Sequence, residues 1–364
     1  MATVGASRVV TPAGVLQDVD VTMADGVITA VRPATSTCPD RVLAPGFVDL
    51  QVNGVDDVDV TDAAGSDWER LDALLLAQGV TTWCPTLVTA PLPTYGHALA
   101  RIDAAARRRA ERRPAIAGAH LEGPFLGGAP GAHPEEHLVP VDLAWLAELP
   151  DVVAVMTLAP ELPGACEAIT MLRDRGVLVA LGHSTATWDE VRVATDAGAR
   201  LVTHLFNGMA PFHHREPGLA GAALSDPRLA TSLIADLVHV HPAALQLAFA
   251  AKGDATVLVT DAVAWNRAAH AGRAIELGSD GTPRLADGTL AGSALTMDAA
   301  VRNVVDHAAV PIGRAITAAS TTPAGLLGLP DRGTIEPGRR ADLVALTPSL
   351  EVEAVWVGGD LAHG

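Results

Sequence analysis

The chain has 364 residues, 49% hydrophobic and 18% charged, which suits one large α/β domain with a small appendage and a sizeable core. Its 25 basic and 42 acidic residues give a net charge of −17. Such a surface repels nucleic acid and anionic membrane, so an anionic small ligand would need a local cationic pocket.

Residues 1–43 read as short strands at 7–10, 19–23 and 27–31, with Asp25-Gly26 as a hairpin turn. The start carries no basic segment leading into an apolar one, and no apolar stretch approaches the length of a bilayer span. A cytoplasmic protein is expected. From residue 44 onward, apolar runs at 44–51, 80–86, 115–122, 152–158, 177–183, 201–204, 231–236 and 256–261 read as strands. Helix-like segments lie between most of them, such as 68–78, 99–112 and 188–197. Strands buried on both faces that alternate with helices imply a parallel sheet. Eight such units imply a (β/α)8 barrel over residues 44–330. The alternative is an open doubly wound sheet, but no GxGxxG follows the first strand. Residues 273–289 read as a hairpin insertion, followed by helices at 297–308 and 314–327. The β-rich runs 342–346 and 353–357 are expected to pair with the N-terminal strands in a small β-sandwich, residues 1–43 plus 331–364.

Cys38, Cys84 and Cys166 show no CxxC spacing, which fits a reducing compartment. Lys252 is the only lysine, so Schiff-base, P-loop and metal-bridging lysine chemistry would each have to use it. Its position just before a strand reads instead as a solvated helix end.

Single polar residues close four of the strand-like runs: Glu122, His183, His204 and Asp261. In a parallel barrel these gather at one rim. One carboxylate and two imidazoles suit a divalent metal and leave a coordination position for water, while a second carboxylate can move that water's proton. Each residue alone has a plainer reading. Glu122 could sit in a structural salt bridge, each His could be a satisfied core residue, and Asp261 could hold a loop.

Several segments resemble the N-acetylglucosamine-6-phosphate deacetylase family of the amidohydrolase superfamily. They are Ala44-Pro-Gly-Phe-Val-Asp-Leu, His120-Leu-Glu-Gly-Pro-Phe, Gly182-His-Ser, Thr203-His-Leu-Phe-Asn-Gly-Met, His214-Arg-Glu-Pro-Gly, Leu258-Val-Thr-Asp-Ala, Leu290-Ala-Gly-Ser and Gly338-Arg-Arg-Ala-Asp-Leu-Val. The resemblance implies a (β/α)8 barrel that hydrolyses the acetamide of N-acetyl-D-glucosamine 6-phosphate, with the N-acetylgalactosamine epimer or a related 6-phosphosugar as alternatives. A non-catalytic scaffold is the remote alternative. The resemblance further implies that Glu122, His183 and His204 hold one metal per subunit, Zn²⁺ first, with Fe²⁺, Mn²⁺ or Co²⁺ as alternatives. Asp261 would be base and acid, and His133 would polarise the acetyl carbonyl. His239, Arg215 and the backbone of Asn207-Gly208 would meet the phosphate, with Arg215 reaching in from the neighbour in a homodimer. An Arg215 pair with Glu216 in its own chain is the plainer reading, and His133 and His239 could each be loop histidines.

The chain departs from the superfamily pattern in three places. The usual His-x-His after the first strand reads Gln51-Val-Asn53, and neutral amides are poor zinc ligands. One metal is therefore expected, with Gln51 a candidate to hydrogen-bond the attacking water. An acidic stretch with Asp56, Asp57 and Asp59 follows and reads as a solvated loop, or else as a weak second cation site. The family's Asp-Gly-x-His appears as Asp236-Leu-Val-His239, which removes the backbone freedom of glycine beside His239.

Overall fold

A computed structural model describes residues 1–108, 111–267 and 274–364. Eight parallel strands pair in chain order: β1 (Phe47–Val52), β2 (Val80–Val88), β3 (Ala119–Glu122), β4 (Val153–Leu158), β5 (Leu178–Leu181), β6 (Leu201–Val202), β7 (Ala230–Ile234) and β8 (Thr256–Val259). The ring closes through a parallel bridge between Val52 and Ala262. There the Asp261 N–H donates to the Gln51 carbonyl at 3.0 Å, and the Asn53 N–H to the Ala262 carbonyl at 2.8 Å. The expected barrel is present. Residues such as Leu50, Leu121, Val155, Leu181, Val202 and Leu233 are almost wholly buried, as strands packed between a core and outer helices must be.

The strand limits differ from the sequence reading for local reasons. Residues 44–45 belong to a separate strand, Val42–Pro45. The chain turns at Gly46, where a Cβ would collide with the Thr81 side chain. The run 115–122 splits into Ala115–Ile116 and β3 around Gly118 at φ +141°. β5, β6 and β8 each stop two residues short of His183, His204 and Asp261, so these stand just beyond the hydrogen-bonded ladder.

Helix Trp188–Ala197 follows its predicted limits. Its first turn is fixed by a reciprocal cap, with the Thr187 N–H on the Glu190 carboxylate at 2.7 Å and the Glu190 N–H on Thr187 Oγ1 at 3.3 Å. The helix expected over 68–78 spans Asp67–Leu76. The one expected over 99–112 begins earlier, as Leu92–Ala106, with proline in its first turn; residues 109–110 of that expectation lie outside the described residues. Helix Met297–Ala308 is as read, but 314–327 is two helices, Ile312–Ala319 and Thr321–Leu326. Pro323 cannot continue the first, because it lacks an N–H and its ring crowds the carbonyl four residues back. The insertion 273–289 contains an antiparallel pair, Glu276–Leu277 with Pro283–Arg284; Arg273 itself lies outside the described residues. Among the described residues, no helix is long and apolar enough to cross a membrane.

Both termini join one seven-stranded sheet, in the order Asp360–His363, Val352–Val357, Leu343–Leu346, Val42–Pro45, Ala2–Thr11, Gly14–Ala24 and Val27–Pro33. Asp25 and Gly26 take φ +51° and +81°, the two left-handed positions that a tight hairpin needs. This sheet has its own apolar cluster, including Val9, Val21, Met23, Ile28 and Leu343. Lys252 does end helix Pro242–Lys252, but it is not solvated. It is 9% exposed, and its Nζ donates to the Asp226 carbonyl at 2.7 Å.

Candidate active site at the carboxyl rim of the barrel

Glu122 is the last residue of β3, while His183, His204 and Asp261 follow β5, β6 and β8. All four are less than 9% exposed. The three that follow strands take φ values of +50°, +30° and +49°, in the left-handed region that side chains other than glycine rarely adopt. Strain of this kind costs on the order of 1–3 kcal/mol per residue and collects at functional sites. It turns each side chain off the strand direction and toward the barrel axis.

There, Glu122 Oε1 lies 3.2 Å from His183 Nε2 and 3.0 Å from His204 Nε2, and the two Nε2 atoms are 3.0 Å apart. The Nδ1 of His183 lies 3.2 Å from the carbonyl oxygen of Ala129. A carbonyl can only accept, so the ring proton is on Nδ1 and Nε2 offers a lone pair to the cluster. Burial alone would raise the pKa of Glu122, but the imidazoles of His183 and His204 beside it outweigh burial and hold the carboxyl well below its usual range. His204 is buried, which opposes protonation, yet its hydrogen bond to Glu122 raises its pKa. A carboxylate and two imidazoles converging on one point form a cluster that could hold a metal ion. His133 approaches the same cluster: Glu122, His133 and His183 bring one potential ligand atom each within 4.8 Å of one another. The Thr89 N–H donates to His133 Nδ1 at 3.3 Å, Thr89 Oγ1 lies 2.9 Å from the same nitrogen, and Nε2 is 3.9 Å from Glu122 Oε2.

Asp261 is tied to this cluster by amides. Gln51 Nε2 donates to Glu122 Oε1 at 2.9 Å and to Asp261 Oδ1 at 3.0 Å, and Asn53 Nδ2 donates to the same Oδ1 at 2.8 Å. Burial first, then the charge of Glu122, pushes the Asp261 carboxyl up to about 6. Its Oδ1 thus rests on donors while the group stays poised to exchange a proton near neutral pH.

Glu122, His133, His183, His204 and Asp261 line a cavity of about 330 Å³, together with His239, Asn207 and Gly208. Gly208 (φ +57°) is needed where it stands, since a Cβ there would come within 2.7 Å of His183 Nδ1. His239 is seated by Asp236, whose Oδ2 accepts from Nδ1 at 2.6 Å. Leu237, where the family has glycine, takes φ +68° and so keeps the left-handed conformation without the residue that favours it.

Arg215 is not among the residues lining this cavity. It is exposed, with Nη1 3.0 Å from His214 Nε2, and no ion pair with Glu216 occurs among the described residues. His120 is a satisfied core histidine, with its two nitrogens 3.0 Å from Leu50 O and 2.8 Å from Thr157 Oγ1. His241 caps a helix through the Ala243 N–H. The acidic loop is only partly solvated: Arg70 pairs with Asp56 and Asp57 at 2.7 Å each, and Asp59 is buried and accepts the Thr61 N–H at 2.8 Å. Sequence reasoning missed Thr89, Asp236 and the donor role of Asn53. Strand alternation places Asn53 on the face of Gln51, which was a usable signal; Thr89 follows β2 in a loop and carried none.

Comparison with known proteins agrees with this geometry. The amidohydrolase family matches residues 42–362. The chain is 42% identical to an N-acetylgalactosamine-6-phosphate deacetylase of Escherichia coli O157:H7, over 98% of each chain. It is 40% identical to the human N-acetylglucosamine-6-phosphate deacetylase, over 89% of this chain and 84% of that one. Among solved structures it resembles an N-acetyl-D-glucosamine-6-phosphate deacetylase of Mycobacterium smegmatis, an aspartate-to-alanine mutant in complex with N-acetyl-D-glucosamine 6-phosphate. That match has a TM-score of 0.93 and 32% identity, and covers 100% of this chain and 99% of the other. A Thermotoga maritima N-acetylglucosamine-6-phosphate deacetylase matches with a TM-score of 0.92 and 32% identity, over 99% of each chain.

Proposed function

This chain belongs to the amidohydrolase family, and from that premise we propose that it hydrolyses the acetamide of N-acetyl-D-glucosamine 6-phosphate to D-glucosamine 6-phosphate and acetate. The observation that carries the reading is the convergence of Glu122, His183 and His204 within 3.2 Å of one another, joined to Asp261 through Gln51. The substrate complex of the Mycobacterium smegmatis relative supports the choice of a phosphosugar.

Glu122, His183 and His204 would hold one divalent cation per subunit, Zn²⁺ first, then Fe²⁺, Mn²⁺ or Co²⁺, and its chemistry there would be Lewis-acid polarisation of the amide carbonyl and acidification of water. The other steps belong to the chain's own groups. Asp261 accepts the proton of the attacking water and returns it to the departing amine. His133 donates its Nε2–H to the acetyl oxygen as charge develops there. Gln51, within reach of both carboxylates, orients the water. His239 and the backbone of Asn207-Gly208 receive the phosphate, and Arg215 completes the clamp from the second subunit of a homodimer. Remote binding of this kind positions the amide for attack. Residues 44–330 form the catalytic unit, and residues 1–43 with 331–364 its β appendage, in a cytoplasmic enzyme.

The test is acetate release by zinc-loaded protein from N-acetylglucosamine 6-phosphate and from unphosphorylated N-acetylglucosamine. Rapid release from the phosphorylated sugar alone is expected; release from neither overturns the reading. The 4-epimer, N-acetylgalactosamine 6-phosphate, is the second reading, favoured by the 98% mutual coverage of the Escherichia coli relative. A higher kcat/KM for that sugar in the same assay would select it.

A further inference from the structure

Asn53 stands on the rim beside Asp261. Its Nδ2 donates to Asp261 Oδ1 at 2.8 Å. Its own Oδ1 is buried and has no partner among the described residues. The orientation of the amide is fixed by chemistry, because an ionised carboxylate only accepts and Nδ2 must therefore face it. Asn53 is 2% exposed and lines the cavity, so the amide is spent on Asp261 alone. Gln51 Nε2 adds a second donor to the same oxygen at 3.0 Å.

We propose that Asn53, with Gln51, clamps Asp261 by Oδ1 and thereby assigns the proton transfers to Oδ2; this rests on Asp261 acting as the base described above. With two amide donors on Oδ1, its lone pairs are committed, and the carboxylate can rotate neither about its Cβ–Cγ bond nor out of line with the substrate. Oδ2 takes the proton of water as the new C–O bond forms at the acetyl carbon. It then delivers that proton to the nitrogen as the C–N bond breaks, so that the amine and acetic acid leave, the acid passing its proton to the amine in solution to give acetate, and Asp261 is restored. Asn53 touches no reacting atom in this scheme. It is a positioning residue, and a displacement of about 1 Å in such a group costs on the order of 100-fold in rate.

The test uses two variants of opposite shape, Asn53→Ala and Asn53→Leu, in metal-loaded protein, with Asp261→Asn as control. Alanine removes the donor and the volume; leucine keeps the volume, adds no charge and removes the donor. The clamp requires both to lower kcat by roughly 30-fold or more, with KM within about threefold of wild type and bound metal unchanged. If Asn53 only fills space, leucine spares kcat and the proposal fails. Loss of metal in both variants assigns Asn53 to the ion instead and also overturns it. Where one variant does not fold, the other decides by the same criteria. An Asp261→Asn protein with near wild-type turnover removes the base itself, and the clamp with it. An inactive Asp261→Asn beside unimpaired Asn53 variants removes the clamp alone.

Discussion

The Nδ1 of His239 lies 2.6 Å from Asp236 Oδ2, and Asp236 Oδ1 also accepts the backbone N–H groups of Val238 at 2.9 Å and His239 at 2.8 Å. One carboxylate therefore fixes both the loop after β7 and the ring that the loop carries. Burial opposes ionisation of Asp236, but the hydrogen bond from His239 outweighs it and lowers its pKa. Asp236→Asn keeps the shape and weakens the grip on Nδ1. If His239 binds the phosphate rather than the reacting amide, KM for the phosphosugar is expected to rise roughly 10-fold or more, with kcat little changed. Steady-state kinetics decide it, and a drop in kcat at constant KM would contradict the assignment.

Glu122 is the shared partner of His183 and His204, so if these three hold the metal its carboxylate is central to the site. Glu122→Gln should bring metal content to a small fraction of wild type, measured by elemental analysis after gel filtration. For wild-type protein, chelation should abolish turnover, and restoring zinc to about 100 times its Kd should add about 2.7 kcal/mol of stability, visible as a higher melting temperature. Equal melting temperatures with and without zinc would count against this site.

The alternation of apolar strands and helices made the barrel legible, and the polar residues at strand ends marked the rim. The chain's own chemistry hid the rest. Gly118 interrupts a run that reads as one strand, and Pro323 splits a run that reads as one helix. Lys252 looked solvated because its partner, the Asp226 carbonyl, lies 26 residues away in sequence. The left-handed backbone at His183, His204 and Asp261 has no local signal, because it is imposed by the closing of the barrel around them. In the sequence, Gln51-Val-Asn53 shows only amides where metal ligands are usual; the hydrogen bond of Asn53 crosses the seam where β1 meets β8.

Asp49 lies on β1 below the rim and is fully buried. Burial raises its pKa to about 7, against hydrogen bonds from Thr260 Oγ1 at 2.6 Å and the Gln51 N–H at 3.2 Å. The folded state thus holds a proton that the unfolded chain releases near its ordinary value of 3.8. Between those two values the unfolded state binds fewer protons, so stability falls as pH rises, and it levels off above about 7. Asp49→Asn stays neutral throughout. Its melting temperature should match wild type near pH 4 and exceed it at pH 8, with a smaller slope between. Parallel curves for the two proteins would show that Asp49 is ionised across this range.

Arg215 lies outside the cavity of its own chain and is held against His214, 3.0 Å away. Among the described residues this exposed guanidinium has no carboxylate partner, which leaves its fork of donors available to an anion. If that anion is the phosphate bound in the neighbouring subunit, each active site of a dimer draws Arg215 from one chain and Asp261 from the other. Arg215→Ala and Asp261→Asn homodimers should then each be nearly inactive. In a mixed dimer, one site carries both lesions and the other carries none. Random exchange of equal amounts makes half of all dimers mixed, each with one intact site, so about a quarter of wild-type activity should return. If both residues serve the same subunit, every site in the mixture carries one lesion and nothing returns. Exchange confirmed by mass spectrometry, with activity still absent, would place Arg215 in its own subunit's chemistry.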